Sequence, residues 1–386
     1  MNVRDLTLDD LDAVLDIRRR SFGPLASAQV DTWRRLVTPM LAEGRYLGVA
    51  DGTRLVAAAR INPCVQWWHG RAMPMGAIGS VTVAPEDRGR GIGRTLMAAV
   101  IERCTELGDA VSALYPATTP LYRSVGYEHA GGRLRISLPT EALRTLAAPG
   151  AGVKLRRLGP DDVPELMAVL DRVHSGSRAS GPLGWPERTW RLWTDDEDDF
   201  CYLADDGYVI YRWSDGDIEV DNLVAGSEAT ARALWSVVGT ASSIAARVTA
   251  SVEPHDPVLW LLRERSRDEG VRDRWMFRLI DLPLAVARRG FPYGACLDTV
   301  IEVDDPQRPA NSGAWRLRVA DGACAAEPGA AGGTASRLGI GGLSALFAGV
   351  PTATLRRTGR LTGGSPETDD ALDAAFGCEA YMLDYF

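Results

Sequence analysis

The sequence predicts an α/β (α+β) protein built as two tandem mixed sheets followed by a smaller α+β unit. Three observations carry this. Residues 76–94 read as an apolar strand, a glycine- and arginine-rich turn, and a helix. The order of apolar and turn segments in residues 1–150 recurs over residues 151–282, without that turn. Residues 283–386 mix short strands with helical stretches and close on an apolar, aromatic segment.

Length and composition set the outer limits. At 386 residues, the chain suits two or three domains at roughly 150 residues each. Hydrophobic residues at 46% supply packed cores, and no apolar run reaches the ~18 residues of a membrane span. Met1-Asn2-Val3-Arg4-Asp5 opens straight into a strand, so a cytoplasmic protein with no membrane partner is expected. The net charge of −8 argues against nucleic acid and favours cationic partners. Cysteines 64, 104, 201, 296, 324 and 378 form no C-x-x-C pair, and the four histidines lack ligand spacing. Reduced thiols and no metal are expected.

In the first unit, residues 3–6 form a short strand. Cap-like Thr7, Asp9 and Asp10 precede Leu11, Val14, Leu15 and Ile17 on one helical face. Residues 22–33 read as a loop leading to a second helix, with Trp33, Leu36, Val37, Met40 and Leu41 at core spacing. Residues 46–50 and 55–61 form a hairpin turning at Asp51-Gly52. The strand over 78–84 is stopped by Pro85, and a helix starts near Ile92. Such a strand, glycine turn and helix aim free backbone N–H groups and a helix dipole at a phosphate. Glycines 89, 91 and 93 allow close approach, and Arg88, Arg90 and Arg94 suit a diphosphate. The loop is neither a Walker A sequence nor the dinucleotide fingerprint. Its bland alternative is a tight turn whose arginines face water.

The spacing that fits is Arg/Gln-x-x-Gly-x-Gly/Ala, filled by Arg88, Gly91 and Gly93. A second motif follows about thirty residues on. A strand ends at Pro116, then come Leu121, Tyr122, Gly126 and Tyr127, a bulky-Tyr-x-x-x-Gly-aromatic pattern. Both motifs resemble those of the GCN5-related N-acetyltransferases (GNAT), as does the order β-α-α-β-β-β-α-β-α-β. The resemblance implies acetyl-CoA as co-substrate. Val81, Thr82 and Val83 would then meet the pantetheine. Arg88, Gly89, Arg90, Gly91, Ile92, Gly93 and Arg94 would wrap the pyrophosphate, and Ala117 and Thr118 would line the thiol end. Tyr122 would be the general acid for the leaving thiolate.

An Ala/Pro/Gly loop over 147–152 marks the first boundary. The second unit opens with a strand over 153–158 and a helix carrying Leu166, Val169, Leu170 and Val173. A tryptophan-rich segment (Trp185, Trp190, Trp193) leads to strands over 200–204, 207–213 and 218–225. After that last strand, residues 226–232 hold neither the glycines nor the arginine cluster, and Glu228 would repel a pyrophosphate. The acidic run 195–199 reads as a solvated loop or a weak cation attractor. A last strand covers 275–282. In the third unit, strands are expected over 298–303 and 315–319, a small-residue turn region over 324–335, and helices over 340–347 and 367–376. Residues 380–386 are read as a buried terminal strand.

The whole chain resembles the enhanced intracellular survival (Eis) branch of the acetyltransferases. That resemblance implies a catalytic GNAT domain (1–150), a degenerate GNAT domain (151–282) and a domain like sterol carrier protein (283–386). It also implies a homohexamer, an aminoglycoside or similar cationic amine as substrate, and the Phe386 carboxylate as general base. Two positions depart from the family pattern: Ser80 stands where an aromatic is usual, and Tyr385 where an acid is, with Asp384 one place earlier. Two other readings stay open: a peptide or protein lysine acetyltransferase, and a non-catalytic acyl-CoA or lipid carrier.

Overall fold

The computed structural model describes residues 1–146, 152–263, 269–330, 332 and 335–386. The predicted boundary loop falls almost wholly outside the described residues. The first unit contains β1 (Asn2–Asp5), α1 (Leu11–Phe22), α2 (Ser27–Ala42), β2 (Tyr46–Asp51), β3 (Arg54–Trp68) and β4 (Arg71–Val83). It continues through α3 (Ile92–Glu106), β5 (Val111–Leu114), α4 (Thr119–Arg123), β6 (Glu128–Pro139) and α5 (Thr140–Arg144). This matches the expected order. The second helix, however, starts at Ser27, and only residues 23–26 remain as a loop. Gly23 (φ +88) ends α1, and the Gln29 side chain accepts from the Ala26 N–H at 3.1 Å, closing the start of α2. The first turn of α2, Ser27-Ala28-Gln29-Val30, holds a single large apolar residue, so apolar spacing alone does not reveal it.

The second unit holds β7 (Arg156–Arg157), α6 (Val163–Gly176), β8 (Leu183–Gly184), α7 (Glu187–Thr194), β9 (Asp199–Ala204), β10 (Gly207–Ser214) and β11 (Asp217–Ala225). Then come α8 (Glu228–Gly239), β12 (Arg247–Val252), α9 (Pro257–Leu261) and β13 (Glu269–Leu279). The two units share one sheet, ordered β1-β2-β3-β4-β5-β13-β6-β12-β11-β10-β9-β7. Strand β13 lies between β5 and β6, antiparallel to both. The last strand of the second unit thus completes the sheet of the first. It ends at Leu279, three residues before the expected limit, because Asp281 caps the next helix by accepting from the Leu284 N–H at 3.0 Å.

The third unit holds α10 (Leu282–Arg288), β14 (Leu297–Asp304), β15 (Gly313–Ala320), β16 (Ala323–Pro328), β17 (Ser336–Gly339), α11 (Ile340–Phe347), α12 (Thr352–Arg357), β18 (Leu361–Thr362) and α13 (Pro366–Phe376). Its sheet runs β16-β15-β14-β17-β18. Part of the expected turn region is therefore a strand. Asp321 (φ +51) and Gly322 (φ +76) make a tight hairpin that sets Ala323–Pro328 against β15, with Cys324 buried. Fully buried Arg278 of β13 joins the units. Its Nε donates to the Val125 carbonyl at 2.8 Å, and its Nη2 pairs with fully buried Asp305 at 2.7 Å.

The terminal segment is buried as expected from Ala380 to Leu383, but it is not a strand. Among the described residues it makes one bridge, Gly132 to Tyr381, and Tyr381 N donates to the Ser180 carbonyl at 3.1 Å. A Cβ on Gly131 would lie 2.3 Å from the Ala380 oxygen, and one on Gly181 2.2 Å from the Tyr381 oxygen. Glycine at both positions lets this tail lie backbone against backbone between two elements, so its polar groups are shared instead of forming one ladder.

Candidate active site

Strand β4 carries a bulge. Ala58 pairs with Thr82 and Arg60 with Gly79, so Ser80 and Val81 face Ala59 alone, and Ser80 takes φ +53. Strand β4 pairs with β5 only from Met75 to Ala77, while β5 pairs with β13 along its other edge from Val111 to Leu114. Residues 79–83 are left without ladder partners on that side. Val81 and Val83 are half-buried against the α3 core, whereas Thr82 faces the other way, its hydroxyl donating to the Ala58 carbonyl at 3.4 Å. Thr82 can therefore offer a cofactor only backbone.

The loop after β4 fits a diphosphate. Gly89 (φ +80) and Gly91 (φ +79) sit in the left-handed region with open space where a Cβ would be. Gly91 starts α3 with no side-chain cap, so first-turn N–H groups point outward. The arginines divide their work. Arg90 turns back to Asp87 (2.6 Å) and Asp51 (3.0 Å) and braces the loop, so only its backbone faces a ligand. Arg88 and Arg94 are exposed and make no ion pair among the described residues.

Helix α4 packs on that loop. A Cβ on Gly93 would lie 3.3 Å from Leu121 and 3.8 Å from Val83. Ala117 and Thr118 are exposed at the start of α4, and Tyr122 is 5% exposed inside the α3 core. Burial pushes the Tyr122 phenol up to about 12, so it holds its proton at neutral pH. Tyr127 stands edge-on to it at 6.2 Å and bonds Ser112 at 2.7 Å. Arg278 fixes the same turn from behind, and a Cβ on Gly126 would come within 3.1 Å of its Nε.

The chain terminus reaches β4 from the other side. The Phe386 carboxyl carbon is 3.5 Å from the point a Gly79 Cβ would occupy. Several residues that sequence reasoning missed hold it there. Tyr115 donates to the Asp384 carbonyl at 2.8 Å and lies 5.5 Å, edge-on, from the Phe386 ring. Trp185 packs on Phe386 at 5.9 Å and donates to the Asp384 carboxylate at 3.0 Å. Asn222 adds a 3.3 Å bond to that carboxylate and accepts from Tyr208 at 2.7 Å. Burial raises the Asp384 carboxyl to about 6. A buried asparagine amid the apolar alternation of β11 was the available signal. Tyr385 is exposed, with Arg133 over its ring at 5.8 Å.

Loop, tyrosine and terminus thus converge on β4. Acetyltransferase (GNAT) domain models match residues 2–130 and 181–279, and a sterol carrier protein domain model matches 282–383. A GCN5-related N-acetyltransferase structure from Kribbella flavida is 48% identical, with TM-score 0.96 over 100% of this chain and 98% of its own. N-acetyltransferase Eis of Mycobacterium bovis is 26% identical over 97% of this chain and 96% of its own length. Eis1 from Mycobacterium abscessus, at 22% identity, shares the fold with TM-score 0.78 over 100% of both chains. With two GNAT domain models ahead of a sterol carrier protein domain model and a 48% identical relative matched end to end, the chain belongs to the GCN5-related N-acetyltransferases, and over its full length it is similar to the Eis proteins.

Proposed function

We propose that this acetyltransferase moves the acetyl group of acetyl-CoA directly to a primary amine of a small molecule, with Tyr122 as acid and the Phe386 carboxylate as base. Acetyl-CoA supplies the thioester. The observation that carries the reading is the convergence on β4 of an uncapped, glycine-lined helix start, a buried protonated tyrosine and the chain terminus. Gly89 to Arg94 hold the diphosphate by backbone N–H groups, with Arg88 and Arg94 adding charge. Residues 79–83 offer strand backbone to the pantetheine. Tyr122 donates to the departing thiolate while the terminal carboxylate receives the amine's proton.

The base carries an energetic condition. A free α-carboxyl titrates near ~3.5 and an alkyl ammonium near ~10.4, so direct transfer between them is uphill by about 9 kcal/mol. The site must desolvate one or both. An aminoglycoside amine is the acceptor that the family resemblance supplies, and the Asp384 and Phe386 carboxylates support a cationic ligand. The homohexamer enters on the same resemblance. Against a lipid carrier stands the interior of the third unit, where Phe291, Phe347 and Phe376 pack around fully buried Arg289 at 4.8–5.3 Å.

The test is thiol release from acetyl-CoA with aminoglycosides, polyamines and a lysine peptide, comparing the native chain with one carrying an extra glycine after Phe386. Release by the first and near-complete loss in the second are expected. Equal rates would remove the terminal carboxylate as base.

A further inference from the structure

The open start of α3 meets only the middle of acetyl-CoA. One ribose beyond the diphosphate, that molecule ends in an adenine and a 3′-phosphate of about −2 charge. Arg94, in the first turn of α3, also lines a groove of about 710 Å³. Sites for small molecules span ~300–1,000 Å³. The groove's other wall is the third unit: the end of β14, the junction of β17 with α11, and Arg360. The two units meet closely there. A Cβ on Gly341 would lie 3.5 Å from the Gly126 oxygen, and one on Gly126 2.6 Å from the Ile340 side chain. Close contact of this kind fixes one wall against the other.

Two arginines from different units share one carboxylate in this groove. Arg123 of α4 and Arg360 of the third unit both pair with Glu128, at 2.8 and 2.6 Å. Glu128 is 7% exposed, while the two arginine side chains stay 44% and 28% exposed. One acid leaves one positive charge over, and Arg94 makes no ion pair among the described residues. A second cavity, of about 280 Å³, shares Arg123, Glu128 and Arg360. It adds Arg272 and Arg274, which make no ion pair among the described residues either. Burial, and the charges of Arg123, Arg274 and Arg360 against that of Glu128, hold the His129 imidazole below its ordinary value. Of the groove's other acids, Glu302 pairs with Arg337 at 2.6 Å and Asp305 with Arg278 at 2.7 Å. Only Asp304 there has no ion pair among the described residues. A tie between the units needs one arginine on Glu128. A second, with further unpaired cations around it, adds repulsion unless an anion joins them.

We infer that the third unit completes the cofactor site: the 3′-phosphoadenosine of acetyl-CoA lies in this groove, with its 3′-phosphate held between Arg123 and Arg360. The inference rests on acetyl-CoA as the donor and names the part of it that the third unit recognises. Arg94 joins the two halves, because it stands at the diphosphate loop and on the groove wall alike. Guanidinium groups suit a phosphate monoester, which accepts their paired N–H groups. Glu128 orients both arginines without neutralising both.

The test compares CoA with 3′-dephospho-CoA on the full chain, which isolates the one phosphate. Calorimetry gives binding, and thiol release from the two acetyl thioesters gives the same comparison in kcat/KM. The native chain should bind CoA roughly 30-fold more tightly than dephospho-CoA. In Arg360→Met that ratio should fall below about threefold, with dephospho-CoA affinity unchanged. Arg360→Lys should recover part of the ratio. Arg318→Met, which removes a third-unit cation outside the groove, should leave it alone. A native ratio near one, or a ratio that survives Arg360→Met, overturns the inference. So does an Arg360→Met variant that loses both ligands equally, because a mere tie between the units would do that. Inorganic phosphate bound as tightly as CoA, and lost in Arg360→Met, would make this a site for free phosphate and overturn the assignment to the cofactor. A large ratio lost in Arg360→Met, with no thiol release by any amine, would uphold the phosphate site and sink the transferase reading. No binding of either ligand would sink both.

Discussion

The β4–α3 turn and the β11–α8 turn occupy equivalent places in the two acetyltransferase folds, and they solve the same local problem in opposite ways. Each strand carries a bulge, at Ser80–Val81 in β4 and at Asp221 in β11, and each pairs in parallel with the strand after its helix. At the helix start they part. Helix α3 begins at Gly91 in the left-handed region, with no side-chain cap. Helix α8 begins at Ser227, whose hydroxyl accepts from the Thr230 N–H at 3.3 Å. Its first turn also carries Glu228, paired with Arg232 at 2.9 Å. One helix end is open to an external anion, and the other satisfies itself. Just past the bulge, β4 has Thr82 and β11 has Asn222, both buried. The second copy lost the cradle, yet at that strand position it grips the tail that carries the terminal carboxylate. Its loss of one site thus coincides with support for the other.

The largest effect should come from crowding the terminus. Gly79→Val would push a side chain into the Phe386 carboxyl group, and kcat should fall at least 100-fold with acetyl-CoA binding kept. A normal kcat would show that the carboxyl group does not act where the structure puts it. Next is the open helix end. Gly91→Val places a β-branched residue at φ +79 where N–H groups must approach a diphosphate. The KM for acetyl-CoA should rise tenfold or more. A Gly226→Val change in the second copy should leave that KM alone.

These two turns also show what was legible in the sequence. The glycine loop and the Tyr122 motif are local, so residue type and spacing disclosed them, as they disclosed the missing glycines and Glu228 in the degenerate copy. What stayed hidden is non-local. The apolar run of β13 announces a strand but not that it enters the first unit's sheet. The arginine within it, Arg278, makes sense only beside Asp305 and the Val125 carbonyl. Tyr115, Trp185 and Asn222 come from three separate segments and meet only at the tail. The tail's apolar composition foretold burial, but its backbone partners, Gly132 and Ser180, are set by packing. Thr82 and Arg90 carry the right motif positions, yet alternation along β4 and the pairing of Arg90 with Asp51 and Asp87 turn their side chains from the cofactor.

The grip on the tail should leave a pH signature. The folded Asp384 carboxyl, raised to about 6, holds a proton that the unfolded chain has released above the ordinary value of 3.8. The folded state thus binds more protons between those values, and stability falls as pH rises through them. Asp384→Asn should flatten that slope in melting curves recorded from pH 4 to 7. An unchanged slope would mean that Asp384 is not the titrating group.

The smallest effect tests the comparison most cleanly. Ser227→Ala removes the hydroxyl that caps α8 and leaves the first turn's N–H groups to water. Loss of such a cap costs about 1 kcal/mol. The shift in urea midpoint should correspond to that figure, with kcat and the KM for acetyl-CoA unchanged, because α8 no longer faces a ligand. Adding a cap to α3 should do the reverse. Gly91→Ser supplies a hydroxyl to the same N–H groups that the diphosphate would take, at a backbone angle serine tolerates poorly. The KM for acetyl-CoA should rise, by less than for valine, while stability changes little. If Ser227→Ala alters the KM, or Gly91→Ser leaves it untouched, the two helix ends are not the open and closed forms of one device.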